Sequence, residues 1–257
     1  MTGTGTQNDP YIVSTWEEFV AQIATSGAYV KIADNTVWDT NQIAPEGVSG
    51  INCQCTELDG NGAIIKNLYT TSNTLLSVTN VHDLTIEDFY MNYSGSENPK
   101  IVYLRSGNEL VRCTLSGIVA ASTGAYFWYR IHQAAEIRQC SFNVKYDIGD
   151  SYVTFDDTSR GNYNEFNHIC LDLANANLST SISIGTQNSL IEVKRKSSDT
   201  NKFPSGYSNS TIIRYDVGTA NEVNQVRNTS GTLTEVTDAQ LKDAAYLASI
   251  GFPIGVG

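Results

Sequence analysis

The sequence predicts an all-β fold, a parallel β-helix in which short strands coil and stack. The main observation is a recurring phrase: an acidic or small polar residue, then an apolar one, then Leu or Phe a few positions later. Its lead apolar residues are 26, 27, 29 and 24 residues apart, at Leu84, Leu110, Ile137, Phe166 and Leu190. Repeats of this length indicate a stacked architecture. We therefore expect these five side chains to lie over one another in a single apolar interior.

The composition supports this fold and excludes some functions. Charged residues make up only 17% of the 257 residues, and much of the polarity comes from Asn, Ser, Thr and Gly, which suits strands joined by tight turns. The net charge of −11 opposes binding to nucleic acid or to anionic membranes. No apolar run reaches the length of a membrane span. We therefore expect no nucleic-acid partner and no membrane insertion.

Helical signals at both ends predict caps on an open stack of strands. Near the start, the capping box is either Ser14 with Glu17 or Thr15 with Glu18, and apolar residues follow at helical spacing. A second box at residues 237–240 predicts one helix that continues through the alanines after it. Caps protect the raw edges of a stack from pairing with other chains.

These signals divide a single expected domain over residues 1–257 into three parts. We predict an N-terminal cap over residues 1–27 with a helix at about 15–25, β-helix coils over 28–230, and a C-terminal helical cap over 231–257. Each repeat period contains at least two short strand patterns and no helix of ten residues, which excludes βαβ units. A β-sandwich is the alternative, but it does not explain a phrase that recurs in phase.

Several segments resemble the right-handed, single-stranded β-helix proteins of the pectin-lyase-like superfamily, and most of all those found as bacteriophage virion appendages and tail spikes. The similar segments are GTGTQNDPYIV at residues 3–13, YVKIADN at 29–35, LDGNG at 58–62, the CTL and CSF phrases at 113–115 and 140–142, and LASIGFPI at 247–254. The resemblance implies a right-handed coil. The catalytic motifs of polygalacturonases and pectate lyases are not found in this sequence, so the resemblance implies no catalytic residue.

The resemblance implies a structural virion appendage, a spike or fibre that displays a surface to a host glycan or to another virion protein. The N-terminus lacks a secretory signal, and five cysteines without metal spacing are expected to be reduced, as in a protein made in a host cytoplasm. Related spikes suggest a homotrimer. The alternatives are a polysaccharide depolymerase, acting as a hydrolase or lyase on the same scaffold, and a bacterial surface adhesin.

Acidic residues recur in the repeats and supply the candidate chemistry. Glu109, Glu136 and Glu165 hold the same place in successive repeats, about 4.8 Å apart if stacked, with arginines on either side. This pattern favours a solvated ion-pair network over an acid–base groove for uronic-acid sugars. The weak catalytic candidates of the enzymatic alternative are Glu136, Asp156 and Arg130. We expect a protein that is not an enzyme.

The most aromatic segment, residues 126–129, supplies the binding candidates. Alternation along a strand predicts two rings inward and two outward, so Tyr126 and Trp128 could stack on a sugar or contact a subunit. The weaker candidates of this kind are Trp38, Tyr146 and Tyr152. The three histidines, His82, His132 and His168, fall at different offsets in the repeats and are expected to be isolated surface residues. We predict no metal and no cofactor.

Overall fold

The computed structural model describes residues 1–104, 107–129, 135–156, 164–165, 167–178, 183–187, 189–196, 205–208, 211–217, 224–227, 232–241 and 243–251. Strands of the first half are β1 (Tyr11–Val13), β2 (Tyr29–Ile32), β3 (Val37–Asp39), β4 (Ile51–Asn52), β5 (Glu57–Lys66), β6 (Tyr69–Thr70), β7 (Thr74–Val78), β8 (Asn80–Tyr93), β9 (Lys100–Leu104), β10 (Glu109–Val111), β11 (Thr114–Ala121) and β12 (Ala125–Tyr129).

Strands of the second half are β13 (Glu136–Arg138), β14 (Ser141–Asp156), β15 (Asn164–Glu165), β16 (His168–Leu178), β17 (Ser183–Gln187), β18 (Leu190–Lys196), β19 (Ser205–Ser208), β20 (Thr211–Val217), β21 (Asn224–Arg227) and β22 (Leu233–Val236). Parallel pairing runs through β1, β2, β5, β8, β11, β14, β16, β18 and β20, each strand beside its equivalent in the next coil. The predicted parallel β-helix is confirmed.

The interior is built from columns of apolar side chains in register. One column consists of Trp38, Ile65, Ile86, Leu115, Phe142, Ile169 and Ile191, all of them buried. A second consists of Val30, Leu58, Val81, Leu110 and Ile137. Each side chain therefore packs on its equivalents above and below, and burial of this continuous apolar surface stabilises the stack.

The predicted column of lead residues is only partly correct. Leu110 does pair with Ile137. Leu84 instead pairs with Ala63, because it follows a corner of its coil whereas Leu110 precedes one. Leu190 lies beside His168 and is half-buried. Phe166 lies outside the described residues. The recurring phrase begins at a different distance from the corner in different coils, so its spacing in the sequence does not give the register.

A ladder of hydrogen bonds runs through the interior beside one corner. The Cys113 amide donates to Cys140 Sγ (3.4 Å), the Cys140 amide to Asn167 Oδ1 (3.0 Å), and the Asn167 amide to Ser189 Oγ (3.0 Å). All four residues are buried. The side chain of each coil thus satisfies an amide of the coil before it, which an interior without water requires. We call these four residues the corner ladder.

The N-terminal cap forms as predicted. Helix α1 (Trp16–Ile23) begins with a capping box in which Thr15 and Glu18 are the partners, and its Ile23 carbonyl accepts from two amides of the next coil. The rings of Trp16, Phe19 and Trp38 lie 5.1–5.7 Å apart. This aromatic cluster closes the first coil against solvent. Helix α2 (Thr40–Ile43) is a short turn after β3.

The C-terminal end differs in detail from the prediction. In the described residues, parallel pairing ends at β20, and β21 and β22 then pair antiparallel. β21 lies where the sequence predicts a further coil, and β22 lies where it predicts the helical cap. Thr237 and Gln240 cap each other, but the predicted single helix is two, α3 (Asp238–Leu241) and α4 (Ala244–Ser249), because Asp243 caps a new start. No described helix has the length and apolar character to cross a bilayer.

Candidate functional site

An open cleft of about 330 Å³ lies at one corner of the stack. Three successive coils line it: β5 and its turn supply the first residues, β8 the next, and the corner after β10 the last. We call it the corner cleft, and its residues are Asp59, Asn61, Gly62, Asp83, Thr85 and Arg112. Its lining is polar, so it suits a hydrated or hydroxyl-rich ligand better than an apolar one.

The corner itself is built from residues in the left-handed backbone region. Asn61, Asp83 and Arg112 have φ of 52°, 56° and 52°, and the next corner repeats this at Gln139 with 56°. Asn and Asp adopt this region readily, because their short side chains bond the local backbone. Arg and Gln do not, and each left-handed residue of this kind costs about 1–2 kcal/mol. The stack holds them in a conformation that directs the corner outward.

Arg112 and Asp83 form the strongest contact of the cleft. Arg112 Nε lies 2.6 Å from Asp83 Oδ1, and Arg112 Nη2 lies 2.6 Å from Asp83 Oδ2, a two-point pairing of guanidinium and carboxylate. This hydrogen bonding lowers the pKa of Asp83 below its ordinary value. The Arg112 side chain is 51% exposed, so unused donors of the guanidinium face solvent at the cleft.

His82 lies among three carboxylates beside the cleft. Its Nδ1 is 3.0 Å from Asp83 Oδ2 and 3.6 Å from Asp59 Oδ1, and its Nε2 is 3.3 Å from Glu57 Oε1. Partial burial lowers the pKa of His82, but hydrogen bonds to Asp83 and Glu57 and the charge of Asp59 outweigh it, so the net pKa is raised. The expectation of an isolated surface histidine is therefore wrong at this position.

Opposite charges nearly balance around the cleft. Lys31 Nζ lies 3.0 Å from Asp59 Oδ2, and Asn61 donates its amide to Asp59 Oδ1 (2.8 Å). The donor atoms of Asp59, His82 and Asp83 lie within 4.8 Å of one another, which is close enough for a metal ion. Lys31 and Arg112 already neutralise the two carboxylates, so a cation would have to displace them. The arrangement is better suited to paired hydrogen bonds with a neutral ligand.

The predicted acidic column is half correct. Glu109 and Glu136 are in register, and Arg138 reaches both, with Nη2 2.9 Å from Glu109 Oε2 and Nε 2.7 Å from Glu136 Oε2. The backbone of Glu165 pairs with that of Arg138 instead of Glu136, so Glu165 is out of register with the other two. This is an ion-pair ladder on a solvated face. Of the other catalytic candidates, Arg130 and the side chain of Asp156 lie outside the described residues.

The aromatic segment follows the predicted alternation as far as it is described. Phe127 is buried against Phe142 with ring centroids 5.0 Å apart, and Tyr126 is half-buried on the opposite face of β12. The side chain of Trp128 lies outside the described residues. Two of the weaker candidates are wrong as surface rings, since Trp38 and Tyr146 are buried, whereas Tyr152 is exposed.

Two surface features escaped the sequence reasoning. Tyr69 and Tyr90 stack in adjacent coils with ring centroids 6.0 Å apart and an interplanar angle of 25°, and Tyr90 is 40% exposed. The corner cleft is the second, and it contains residues of the LDGNG segment that the sequence analysis connects only with the resemblance. Its signal was the recurrence of a polar residue ahead of each inward corner position, at Asp83, Arg112 and Gln139.

Comparison of the chain with protein-family models, curated proteins and solved structures found no match. The chemistry of the corner cleft is therefore inferred from its own residues.

The stability of the protein is expected to depend on the protonation of His82. Because its folded pKa is raised, its contribution is fully present below the unfolded value of about 6.5 and is lost as pH rises through the folded pKa. The contribution of Asp83 to stability is constant in this pH range, because its pKa is lowered and its carboxyl gains a proton only in acid. Urea unfolding at several pH values should show that His82→Gln has a lower free energy of unfolding than the unmodified chain at low pH. This difference should shrink as pH rises. A pH-independent difference would contradict this.

Proposed function

We propose that the chain is a rigid, non-catalytic β-solenoid of a bacteriophage virion appendage that binds host-surface polysaccharide at the corner cleft. The observation that carries the binding proposal is the cleft itself, where three coils present carboxylate, amide, hydroxyl and guanidinium groups at one exposed corner. Each coil is hydrogen-bonded to its neighbours, so these groups are held in place before a ligand arrives. Little ordering cost then remains to be met on binding.

The chemistry of the cleft favours neutral or weakly charged sugars. Sugar hydroxyls both donate and accept, and the exposed Arg112–Asp83 pair offers donors beside acceptors in a fixed plane. A polyanionic glycan would approach a chain of net charge −11, at a cleft whose cations Lys31 and Arg112 are already paired with Asp59 and Asp83. Repulsion of this kind slows encounter and opposes binding, so uronic-acid-rich or sulfated polymers are disfavoured.

The same cleft does not favour a depolymerase. Hydrolysis of a glycosidic bond needs a carboxylic acid whose pKa is raised so that it can donate a proton. Arg112 instead lowers the pKa of Asp83, which keeps that carboxyl ionised. Asp83 can therefore accept hydrogen bonds from a sugar, but it is poorly suited to protonate a leaving group.

The virion setting rests on the sequence resemblance to phage appendages, and so do the proposed virion partners and the trimer. The proposed virion setting predicts that the gene lies beside genes for capsid, portal or tail proteins. A neighbourhood without such genes, or with an anchoring segment in the same reading frame, would favour the bacterial adhesin. A single-chain mass in light scattering would remove the trimer without affecting the cleft.

The binding proposal is tested with purified bacterial capsular and O-antigen polysaccharides as probes, and with a sulfated polysaccharide as the polyanionic control. We expect one or more neutral polymers to bind, and Arg112→Gln and Asp83→Asn to weaken that binding about 10-fold or more, since each removes a charge-assisted hydrogen bond. The matched control is Gln139→Ala, which changes the equivalent corner one coil further along and should leave binding unchanged.

Three outcomes would overturn the proposal. The first is no binding to any neutral polymer, and the second is equal loss with Gln139→Ala, which would place the ligand elsewhere on the stack. The third is the release of new reducing ends or unsaturated sugars from a bound polymer, which would make the chain a depolymerase.

A further inference from the structure

Three chemically different side chains meet on the outer face of the stack, far along the chain from the corner cleft. His168 Nε2 lies 2.6 Å from Glu192 Oε2, Cys170 Sγ lies 3.2 Å from His168 Nε2, and Cys170 Sγ lies 2.8 Å from Glu192 Oε2. A nitrogen, a sulfur and an oxygen thus converge on one point. We call these residues the outer triad.

The fold fixes this convergence. His168 and Cys170 are two residues apart on β16, so both side chains project from the same face, and the apolar residues between and after them point inward. Cys170 pairs with Glu192 of β18 in the next coil. The three donors therefore occupy two adjacent strands of a hydrogen-bonded stack, and their backbones cannot separate without breaking it.

The position of Cys170 distinguishes it from the other cysteines. Cys53, Cys55, Cys113 and Cys140 are all buried in the interior, whereas Cys170 is partly exposed. A partly exposed thiol on the outer face of the stack lies outside the apolar core that the other four cysteines occupy. Its neighbours also differ from those in the adjacent coil, where Ser141 and Asn143 hold the positions equivalent to His168 and Cys170. The thiol, imidazole and carboxylate occur together only at this level of that face, within the described coils.

We propose that the outer triad binds one divalent metal ion of the zinc class. Cys, His and Glu are the three ligand types that zinc accepts, and three protein ligands leave a fourth position for water or for a donor from another molecule. Tetrahedral zinc with ordinary bond lengths needs donor atoms about 3.4–3.6 Å apart. Small side-chain rotations that move the donor atoms by less than about 1 Å give this spacing, with no change in the backbone.

The mixed donor set also selects the metal. Calcium and magnesium require oxygen ligands in larger number, which the outer triad does not supply, whereas thiolate with imidazole suits zinc or cobalt. On binding, a metal–sulfur bond forms and the thiol proton of Cys170 leaves to solvent. Glu192 supplies the second negative charge, so the site as a whole is neutral when loaded.

The test uses the full chain, stripped of metal with a chelator and kept under a phosphine reductant. Titration with Zn²⁺ in a calorimeter is expected to give one ion per chain, and Co²⁺ is expected to give the intense near-ultraviolet band of a cobalt–thiolate bond. Cys170→Ser and His168→Gln should each weaken Zn²⁺ binding by more than about 100-fold, because even outer-shell partners of a metal cost about 10–100-fold.

A second readout follows the thiol directly. In the native chain, iodoacetamide should label Cys170 before the four buried cysteines, and Zn²⁺ should protect it. Ser141→Ala, on the same face, is the matched control and should bind Zn²⁺ normally. Circular dichroism checks that each variant is folded. Absence of a cobalt–thiolate band, or Zn²⁺ binding that survives Cys170→Ser and is lost in His82→Gln, would overturn the proposal.

Discussion

Replacing Asn167 with Ala is expected to lower the free energy of unfolding by about 2–6 kcal/mol. Asn167 is completely buried in the corner ladder, where its Oδ1 accepts from the Cys140 amide (3.0 Å) and its Nδ2 donates to the Ile137 carbonyl (2.9 Å). Alanine leaves both backbone groups without a partner in an interior that water does not reach. Each such group costs about 1–3 kcal/mol. Urea unfolding, or the thermal midpoint where unfolding is irreversible, measures the loss.

The ladder supplies a matched variant for this experiment. Cys140 holds the equivalent position one coil earlier, and its sulfur accepts from Cys113 and lies 3.4 Å from the Leu110 carbonyl. Asn167→Cys should therefore destabilise less than Asn167→Ala, since a sulfur can replace both contacts in weaker form. Asn143→Ala, at an exposed position of the neighbouring coil, should change stability by no more than about 0.5 kcal/mol. If the Cys and Ala variants lost equal stability, the hydrogen bonds of the corner ladder would not be the way in which Asn167 stabilises the fold.

The general architecture could be predicted because it depends on a repeated pattern. Alternation of apolar residues fixes which face of each strand turns inward, and a period near 27 residues fixes the stacking. The two capping boxes were equally local signals, and both are present. The CTL and CSF phrases do lie in successive coils, and the Cys140 sulfur accepts from the Cys113 amide in the corner ladder.

The register could not be predicted, because it depends on how many residues each corner contains and on where the recurring phrase lies relative to the corner. Between Asp59 and Ala63 the chain has three intervening residues, whereas the next coil passes from His82 to Leu84 with one. Nothing in the spacing of the apolar residues shows this difference. In the later coils the corners are equal in length, but the phrase begins at a different distance from the corner, which moves Leu84 and Leu190 out of the expected column and separates Glu165 from Glu136.

Both polar clusters were missed for the same reason. The corner cleft joins residues of three coils, and the outer triad joins Glu192 to residues 22 and 24 positions before it. Motif searches along a sequence find ligands at short, fixed spacings, as in zinc fingers. In a stacked coil the neighbours of a side chain are one period away, and they are identified only when the register is known.

The close approach of two coils at the corner cleft gives a second large effect. Gly60 is buried, and a Cβ added there would lie 2.4 Å from the Asp83 carbonyl oxygen and 2.7 Å from Leu84 Cα. These are backbone atoms, so no side-chain rotation can relieve the contact. Gly60→Ala is therefore expected to cost about 3 kcal/mol or more, at the upper end of overpacking effects, and to lower the thermal midpoint by about 6–12 °C.

Gly62 is the matched control, two residues further along the same turn. Its φ is +76°, and a Cβ there would meet nothing within 4 Å. Gly62→Ala is therefore expected to lower the free energy of unfolding by only about 1–2 kcal/mol, the cost of a left-handed backbone for alanine. A loss at Gly62 as large as that at Gly60 would mean that turn conformation, not contact between coils, limits the corner. The opposite order is expected because the extra residues of this turn bulge outward, which leaves Gly60 to pack directly against the next coil.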